Sequence, residues 1–220
     1  MLRNLILSYR ALMTVQYKFI ISKIIAGQTQ EHYIVIDFKE ENFHHLVGLH
    51  KLKGVDKVKA MGNGGAQRIY DQILGNNITF YDLDKDETQH KAAFMSRATS
   101  LNLIPIMMDS IDTNLLGLYY FDGAKIGSKI KAKYLLHFKN RDKEFYFLFD
   151  SKSKKKNIEE CYPVSVFRKK IKAELKSGQT PKHYEMRQER ASLLRIEKIV
   201  GTESVILYQK KASFNIERLD

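Results

Sequence analysis

Three of the chain's histidines, His44, His45 and His50, fall within the seven residues of segment 44–50. Only seven histidines occur among the 220 residues, so this segment holds a large share of them. An imidazole titrates near neutral pH and can therefore take up or release a proton in a reaction. Held beside lysines in a basic chain, such a group is what metal-free cleavage of an RNA phosphodiester requires.

Two other kinds of hydrolytic site fit the sequence poorly. Glu40, Glu41, His44 and His45 do not reproduce the His-Glu-x-x-His spacing that places two zinc ligands on one helical face. No Gly-x-Ser-x-Gly elbow of a serine hydrolase occurs either. We therefore expect no metal site and no cofactor.

Three further residues are candidates to act with a histidine, from their residue type and predicted position. Arg97 falls in a predicted helix and could stabilise a negatively charged phosphate. Lys133 falls in a predicted strand, and Ser165 follows Tyr-Pro-Val and could offer a hydroxyl. Each also has a simpler interpretation: a surface ion pair for Arg97, a solvent-facing lysine for Lys133 and a turn residue for Ser165.

The charge of the chain favours a polyanionic partner. Lysine and arginine number 37 against 25 acidic residues, which gives a formal charge of +12 and a pI near 9.5. RNA is the partner that we expect, since basic residues follow a phosphate backbone. The lysines predicted to bind it, any of which could instead be merely solvated, are Lys51, Lys91, Lys131, Lys152, Lys154 and Lys155.

The first half of the chain predicts mainly helices. Apolar residues recur at helical spacing over 4–25 and Gly27 follows as a stop, so residues 1–27 are predicted to form one amphipathic helix. Alternation over 32–39 predicts a strand. Helices are predicted over 40–52, 66–74 and 88–103. In a continuous helix over 40–52 the three histidines could not share one face, because neighbouring positions differ by about 100°.

The second half predicts strands. Short runs rich in β-branched and aromatic residues cover 116–121, 129–138, 144–149, 193–199 and 204–209, with turn residues between them. Residues 151–157 are predicted to be a lysine-rich loop. Helices followed by an antiparallel sheet indicate an α+β fold, with the amphipathic helix 1–27 preceding a single domain over 28–220.

The number of cysteines and the hydropathy of the N-terminal segment predict the cellular compartment. Cys161 is the only cysteine, so no intramolecular disulfide can form and a reducing cytoplasm is expected. Charged residues interrupt the apolar N-terminal run too often for a membrane span, and no signal peptide is recognisable. The apolar stripe of the N-terminal helix could pack on its own sheet, lie on a membrane surface or form a homodimer. We expect the first, and no membrane partner.

One motif supports a family resemblance. Asn42-Phe43-His44-His45-Leu46-Val47-Gly48-Leu49 resembles the Asn-Phe-x-His-Leu-x-Gly-Leu signature of a phage and mobile-element associated branch of the barnase, EndoU, colicin and RelE-like (BECR-fold) nucleases. The fourth position of the signature falls on His45. In that group a histidine on an early helix is thought to work with basic and hydroxyl residues from a following antiparallel sheet. The order of elements here is similar over about residues 30–200.

The resemblance implies a metal-independent endoribonuclease that cleaves RNA through the ribose 2′-hydroxyl, with His45 as general base or acid. Arg97 or a lysine would support the developing charge. Such an enzyme could be a toxin or phage-related effector, and would then need an immunity or antitoxin protein in its own cell. The alternative is a non-catalytic nucleic-acid-binding phage or mobile-element protein, in which the lysines bind phosphate and the histidines are structural.

Overall fold

The N-terminal segment forms a helix and then a strand. The computed structural model describes residues 2–85, 91–175 and 177–211, without the side chains of Lys85 and residues 91–93. In it, α1 (Leu2–Met13) is followed by β1 (Gln16–Ile25). The prediction of one helix across residues 1–27 is therefore wrong beyond Met13. Both faces of β1 carry apolar residues, and such a run lacks the alternation that distinguishes a strand from a helix.

A tight turn joins β1 to β2 (Gln28–Asp37). Ala26 and Gly27 both have positive φ, at 50° and 77°, and Ile25 pairs with Gln28 across the hairpin. Two central residues in the left-handed region are the mark of the two-residue turn that matches the twist of paired strands. Gly27 therefore serves a hairpin, and does not end a helix.

Helices and strands alternate in groups along the rest of the chain. The remaining helices are α2 (Glu40–Leu46), α3 (Gly65–Leu74), α4 (Lys91–Asp109) and α5 (Ile111–Asn114). The remaining strands are β3 (Leu115–Tyr120), β4 (Tyr134–Asn140), β5 (Lys143–Lys155), β6 (Ile158–Arg168), β7 (Glu189–Arg190), β8 (Ser192–Val200) and β9 (Glu203–Gln209).

The nine described strands form one curled sheet in the order β7-β3-β4-β5-β6-β2-β1-β8-β9. Every pairing is antiparallel except that of β2 with β6. The predicted α+β class in a single domain is confirmed, although β1 and β2 precede most of the helices. The predicted hairpin turns after β4 and β8 are also confirmed.

The helices cover one face of the sheet and form the main core with it. The buried side of α1 lies inside this core, so its apolar stripe packs within the chain, through Leu2, Leu5, Ile6, Tyr9 and Leu12. A homodimer through this helix stays a prediction. A smaller cluster on the opposite face of the sheet consists of Phe121, Leu135, Tyr146 and Leu148. No helix among the described residues is long and apolar enough to cross a membrane.

Two predictions about the strands are wrong. The segment predicted as a strand from residue 129 becomes one only at Tyr134, and the predicted lysine loop is mostly the end of β5. Strand β6 was not predicted, and it contains Pro163, a residue that is rare within strands. Here Pro163 pairs with Phe149 beside a register shift, the kind of irregularity where a sheet tolerates proline.

Candidate active site

The three histidines of segment 44–50 come together because the chain turns sharply between them. Helix α2 ends at Leu46, and Gly48 adopts a left-handed conformation with φ of +77°. A short 3₁₀ helix, Leu49–Lys51, then returns His50 toward α2. The rings of His45 and His50 lie 4.7 Å apart between centroids, and those of His44 and His45 5.4 Å. The predicted continuous helix over 40–52 is therefore wrong, and with it the expectation that the histidines diverge.

His44 is the buried member of this histidine cluster. Its side chain is 2% exposed, and its Nε2 lies 2.8 Å from the carbonyl oxygen of Val58. A carbonyl can only accept, so Nε2 carries the hydrogen and Nδ1 of the neutral ring carries a lone pair. That Nδ1 atom is buried and has no hydrogen-bond partner among the described residues.

His45 and His50 are exposed and are held in the neutral form. Loss of surrounding water lowers the pKa of His45 below its usual value. For His50, loss of water and then repulsion from His45, Lys51 and Arg97 lower the pKa to about 4. At neutral pH both rings can therefore accept a proton.

Arg97 reaches the cluster from α4. Its side chain lies directly over Gly48, where a Cβ atom would stand 2.8 Å from Nη1 and 3.2 Å from Cδ of the arginine. Among the described residues no carboxylate forms an ion pair with Arg97. Burial lowers the pKa of Arg97, and burial followed by repulsion from Arg97 lowers the pKa of Lys51. An arginine stays protonated in spite of such a shift, so the cluster has a fixed cation beside it.

Gly48→Ala is expected to destabilise the fold by about 1–2 kcal/mol through its left-handed backbone and also to displace Arg97. Gly62→Ala is the matched control, because Gly62 has φ of +65° but no atom within 4 Å of the position that the alanine methyl group would take. Urea unfolding should give similar losses for both variants. Binding of a phosphate-containing ligand at the histidine cluster should weaken only in Gly48→Ala. Equal binding by the two variants would show that the position of Arg97 over Gly48 does not affect the ligand.

A basic groove of about 1170 Å³ includes Arg97 and Lys51 in its lining. It runs past the end of β6, and Phe167, Ile130 and Tyr184 line it between the charges. Glu174, its one acidic lining residue among those described, is paired with Arg168. The cationic residues that line the groove are Lys51, Arg97, Lys129, Arg168, Lys169, Lys170 and Lys182. The groove thus offers a polyanion a cationic surface, and Arg97 and Lys51 connect it to the histidine cluster.

A family model described as phage-Barnase-EndoU-ColicinE5/D-RelE like nuclease 4 (PBECR4) matches residues 2–204. The chain belongs to the PBECR4 family. The match covers the histidine cluster, α4 and the whole basic groove, so the site described above lies within the shared domain. No curated protein and no solved structure matches the chain significantly.

Of the four catalytic candidates in this PBECR4 chain, Arg97 lies over Gly48, in the turn that joins His45 to His50. Lys133 lies elsewhere: its Nζ is 2.5 Å from Oε1 of Glu159, near the start of β6. Glu159 and Arg168 are nine residues apart on that strand, about 30 Å of extended chain. Lys133 does not line the groove.

Ser165 does not face the groove. It is 4% exposed, pairs with Leu148 of the smaller cluster, and its hydroxyl has no hydrogen-bond partner among the described residues. Its register opposite Leu148 turns the side chain into packed apolar surroundings. The predicted phosphate contact of Ser165 therefore has no counterpart in this geometry.

Of the lysines predicted to bind nucleic acid, only Lys51 is placed on the groove. Lys152 lines a separate depression near the start of α2. Lys154 lies near the end of β5, where it pairs with Glu159 of β6. Lys131 and Lys155 are exposed but do not line the groove. The backbone of Lys91 begins α4, and its side chain lies outside the described part of the structure.

Sequence reasoning missed most of the groove. Arg168, Lys169 and Lys170 form a continuous basic run, and Lys129 and Lys182 add to it from two loops. The run of three was a visible signal, but it lies at the end of β6, which was not predicted. Lys169 also bonds Glu144 at 2.7 Å, and Glu144 accepts a second bond of 2.8 Å from His137. This network fixes one wall of the groove.

Proposed function

We propose that this PBECR4 nuclease is a metal-independent endoribonuclease in which His45 activates the ribose 2′-hydroxyl. The observation that carries the proposal is the exposed imidazole of His45, which lies 4.7 Å from His50 across a turn covered by Arg97, while Arg97 and Lys51 both line a groove rich in cations. The lowered pKa of His45 supports a role as general base, since a neutral ring is available at physiological pH.

The chemistry assigns one step to each group. His45 takes the proton of the 2′-hydroxyl, and the oxygen attacks the adjacent phosphorus. The bond to the 5′-oxygen breaks, leaving a 2′,3′-cyclic phosphate on one fragment and a 5′-hydroxyl on the other. Arg97 stabilises the negative charge that builds on the phosphate oxygens. Lys51, a groove cation whose pKa is lowered by burial, supplies the proton to the leaving oxygen.

The distribution of carboxylates supports chemistry without Mg²⁺. Nucleases that use two metal ions hold them through carboxylates, because Mg²⁺ prefers oxygen ligands. Among the described residues, the groups with metal-ligand spacing are His44-His45-His50, which contains no carboxylate, and His137-Glu144-Glu185, which contains two. In the second group, Glu144 is already bonded to Lys169.

The direct test uses two oligonucleotides that differ by one oxygen. A DNA strand containing one ribonucleotide and its all-DNA counterpart are incubated with the protein in excess EDTA. Cleavage is expected only 3′ of the ribonucleotide, with a 2′,3′-cyclic phosphate detected by mass spectrometry. Cleavage of both strands would rule out the 2′-hydroxyl as nucleophile. Salt-sensitive binding to total RNA without cleavage would favour the non-catalytic alternative.

Binding along the groove gives a separate prediction. Lys170→Gln is expected to weaken binding to an uncleavable DNA strand and to lower the slope of log K against log salt by about 0.7, one phosphate contact on a single strand. Lys154→Gln is the matched control, since both lysines are exposed but Lys154 lies at the far end of β5. Fluorescence anisotropy at several salt concentrations measures both slopes. Equal slopes for the two variants would place the nucleic acid elsewhere.

An RNA-cleaving enzyme endangers the cell that makes it. We therefore propose a role as a cytoplasmic toxin or phage-related effector, which requires an immunity or antitoxin protein in the producing cell. A partner that covers the groove would need acidic side chains to complement its lysines and arginines.

A further inference from the structure

We propose that His44, His45 and His50 together form a binding site for one transition-metal ion of the Zn²⁺ or Cu²⁺ class, and that the bound ion blocks catalysis. The second part rests on the proposed function, because it assumes that His45 is the general base. A metal site was not expected from helical spacing, but the turn at Gly48 brings the three rings together.

The ligand atoms are close enough to share an ion. One ring nitrogen from each of the three histidines lies within 4.8 Å of the other two. Nitrogen ligands in a tetrahedral zinc site are about 3.4 Å apart, given Zn–N bonds of 2.0–2.1 Å. Small side-chain rotations of His45 and His50, both exposed, would close the difference. Three imidazoles with an open fourth position are a known ligand set for zinc.

His44 provides an independent observation that points to a ligand. Its Nδ1 atom is buried without a partner, in a side chain that is 2% exposed. Its other nitrogen is fixed by the carbonyl of Val58, which sets the tautomer and leaves the lone pair on Nδ1. A histidine that binds a metal commonly donates its other N–H to a carbonyl or carboxylate in this way. A metal ion would satisfy this buried polar atom, which the fold leaves unsatisfied.

The surroundings select the class of metal. The cluster contains no carboxylate, so Mg²⁺ and Ca²⁺, which prefer oxygen ligands, are poorly served. Imidazole suits Zn²⁺, Cu²⁺ and Ni²⁺. Arg97 and Lys51 repel any cation, so affinity is expected to be weaker than in a three-histidine site without neighbouring cations.

His45 cannot bind a metal ion and accept the 2′-hydroxyl proton at the same time. The lone pair with which His45 would accept the 2′-hydroxyl proton is the one that would bind the metal. A metal-bound ring therefore cannot serve as general base, and cleavage stops until the ion leaves. The proposed ribonuclease would be inhibited by zinc and reactivated by a chelator.

Binding is tested first without RNA. Tag-free protein, treated with a chelator and then freed of it, is titrated with Co²⁺ while visible absorption is recorded, and with Zn²⁺ in competition with a chromophoric chelator. One equivalent of tetrahedral Co²⁺, displaced by Zn²⁺, is expected. His45→Ala and His50→Ala should each lose at least about tenfold in affinity, while His183→Ala, outside the cluster, should not. Unchanged affinity in His50→Ala, or no binding by the parent, would overturn the site.

Inhibition is then tested on the mixed oligonucleotide. Saturating Zn²⁺ should stop cleavage by the parent, and EDTA should restore it. Undiminished cleavage by fully zinc-loaded protein would overturn the proposal that the bound ion prevents His45 from accepting the proton. Zinc binding by a protein that never cleaves RNA would contradict the proposed function while supporting the metal site.

Discussion

His45→Ala is expected to lower the rate of RNA cleavage by about a thousandfold, the range typical for loss of a general base. The side chain is exposed, so the free energy of unfolding should change by no more than about 0.5 kcal/mol. Single-turnover kinetics on the oligonucleotide with one ribonucleotide, beside urea unfolding, separate the two effects. Binding of the all-DNA strand should remain as in the parent.

His183→Ala is the control for this experiment. His183 is partly exposed and bonds Glu185 rather than the histidine cluster. Its loss should leave the cleavage rate within a few-fold of the parent. If His45→Ala kept a tenth or more of the rate, His45 would be a structural residue, and His50 would become the candidate base because its ring lies 4.7 Å away.

Glu159→Ala is expected to cost about 3–5 kcal/mol of stability, because it breaks a buried ionic network. The carboxylate is fully buried and accepts hydrogen bonds from His32 at 3.1 Å, Tyr134 at 3.0 Å and Lys133 at 2.5 Å. Without it, His32 and Tyr134 lose their hydrogen-bond acceptor in the interior. Glu160→Ala is the matched control, since the adjacent Glu160 is exposed and accepts a bond from Ser153. Similar losses in both variants would contradict the role given to the network.

The same network predicts how stability depends on pH. Burial alone would raise the pKa of Glu159, but hydrogen bonds from Lys133, Ser151 and His32 outweigh it and lower the pKa from 4.5 to about 2. Its stabilisation is therefore complete above pH 4.5 and is lost as the pH falls toward 2. Burial lowers the pKa of His32 below 6.5, so this group also favours the fold at higher pH.

Urea unfolding at a series of pH values measures this dependence. Glu159→Gln should unfold more easily than the parent at neutral pH, and its stability should decline less between pH 4.5 and 2. A parent-like slope in that window would assign the acid sensitivity to other carboxylates.

The sequence predicted the fold class better than the individual elements. Alternation identified β2, and runs rich in β-branched and aromatic residues identified β3, β8 and β9. These patterns failed for β1, where apolar residues on both faces imitate a helix, and for β6, whose sequence is mixed and contains Pro163. The prediction of an antiparallel sheet and an α+β class was still correct, because most strands of the sheet were recognised.

The candidate site was only partly accessible to sequence reasoning. The motif identified His45, and residue type suggested Arg97, which the structure places over Gly48. The convergence of His44, His45 and His50 depends on the left-handed turn at Gly48, which periodicity cannot show. Lys133 and Ser165 were placed by residue type alone, and their partners, Glu159 and the apolar face of β5, lie far along the chain. The surroundings of such side chains are set by pairing between strands that lie far apart in the sequence.

The position of β1 in the sheet also bears on how this nuclease is made. The strand leading into the histidine segment, β2, pairs with β1, and β1 pairs on its other side with β8, whose residues lie more than 150 positions later. A nascent chain on the ribosome therefore leaves one edge of β1 unpaired until Ser192–Val200 has been translated. The support of the histidine segment is complete only once β8 has been translated, so we expect chains truncated before Ser192 to be poor nucleases.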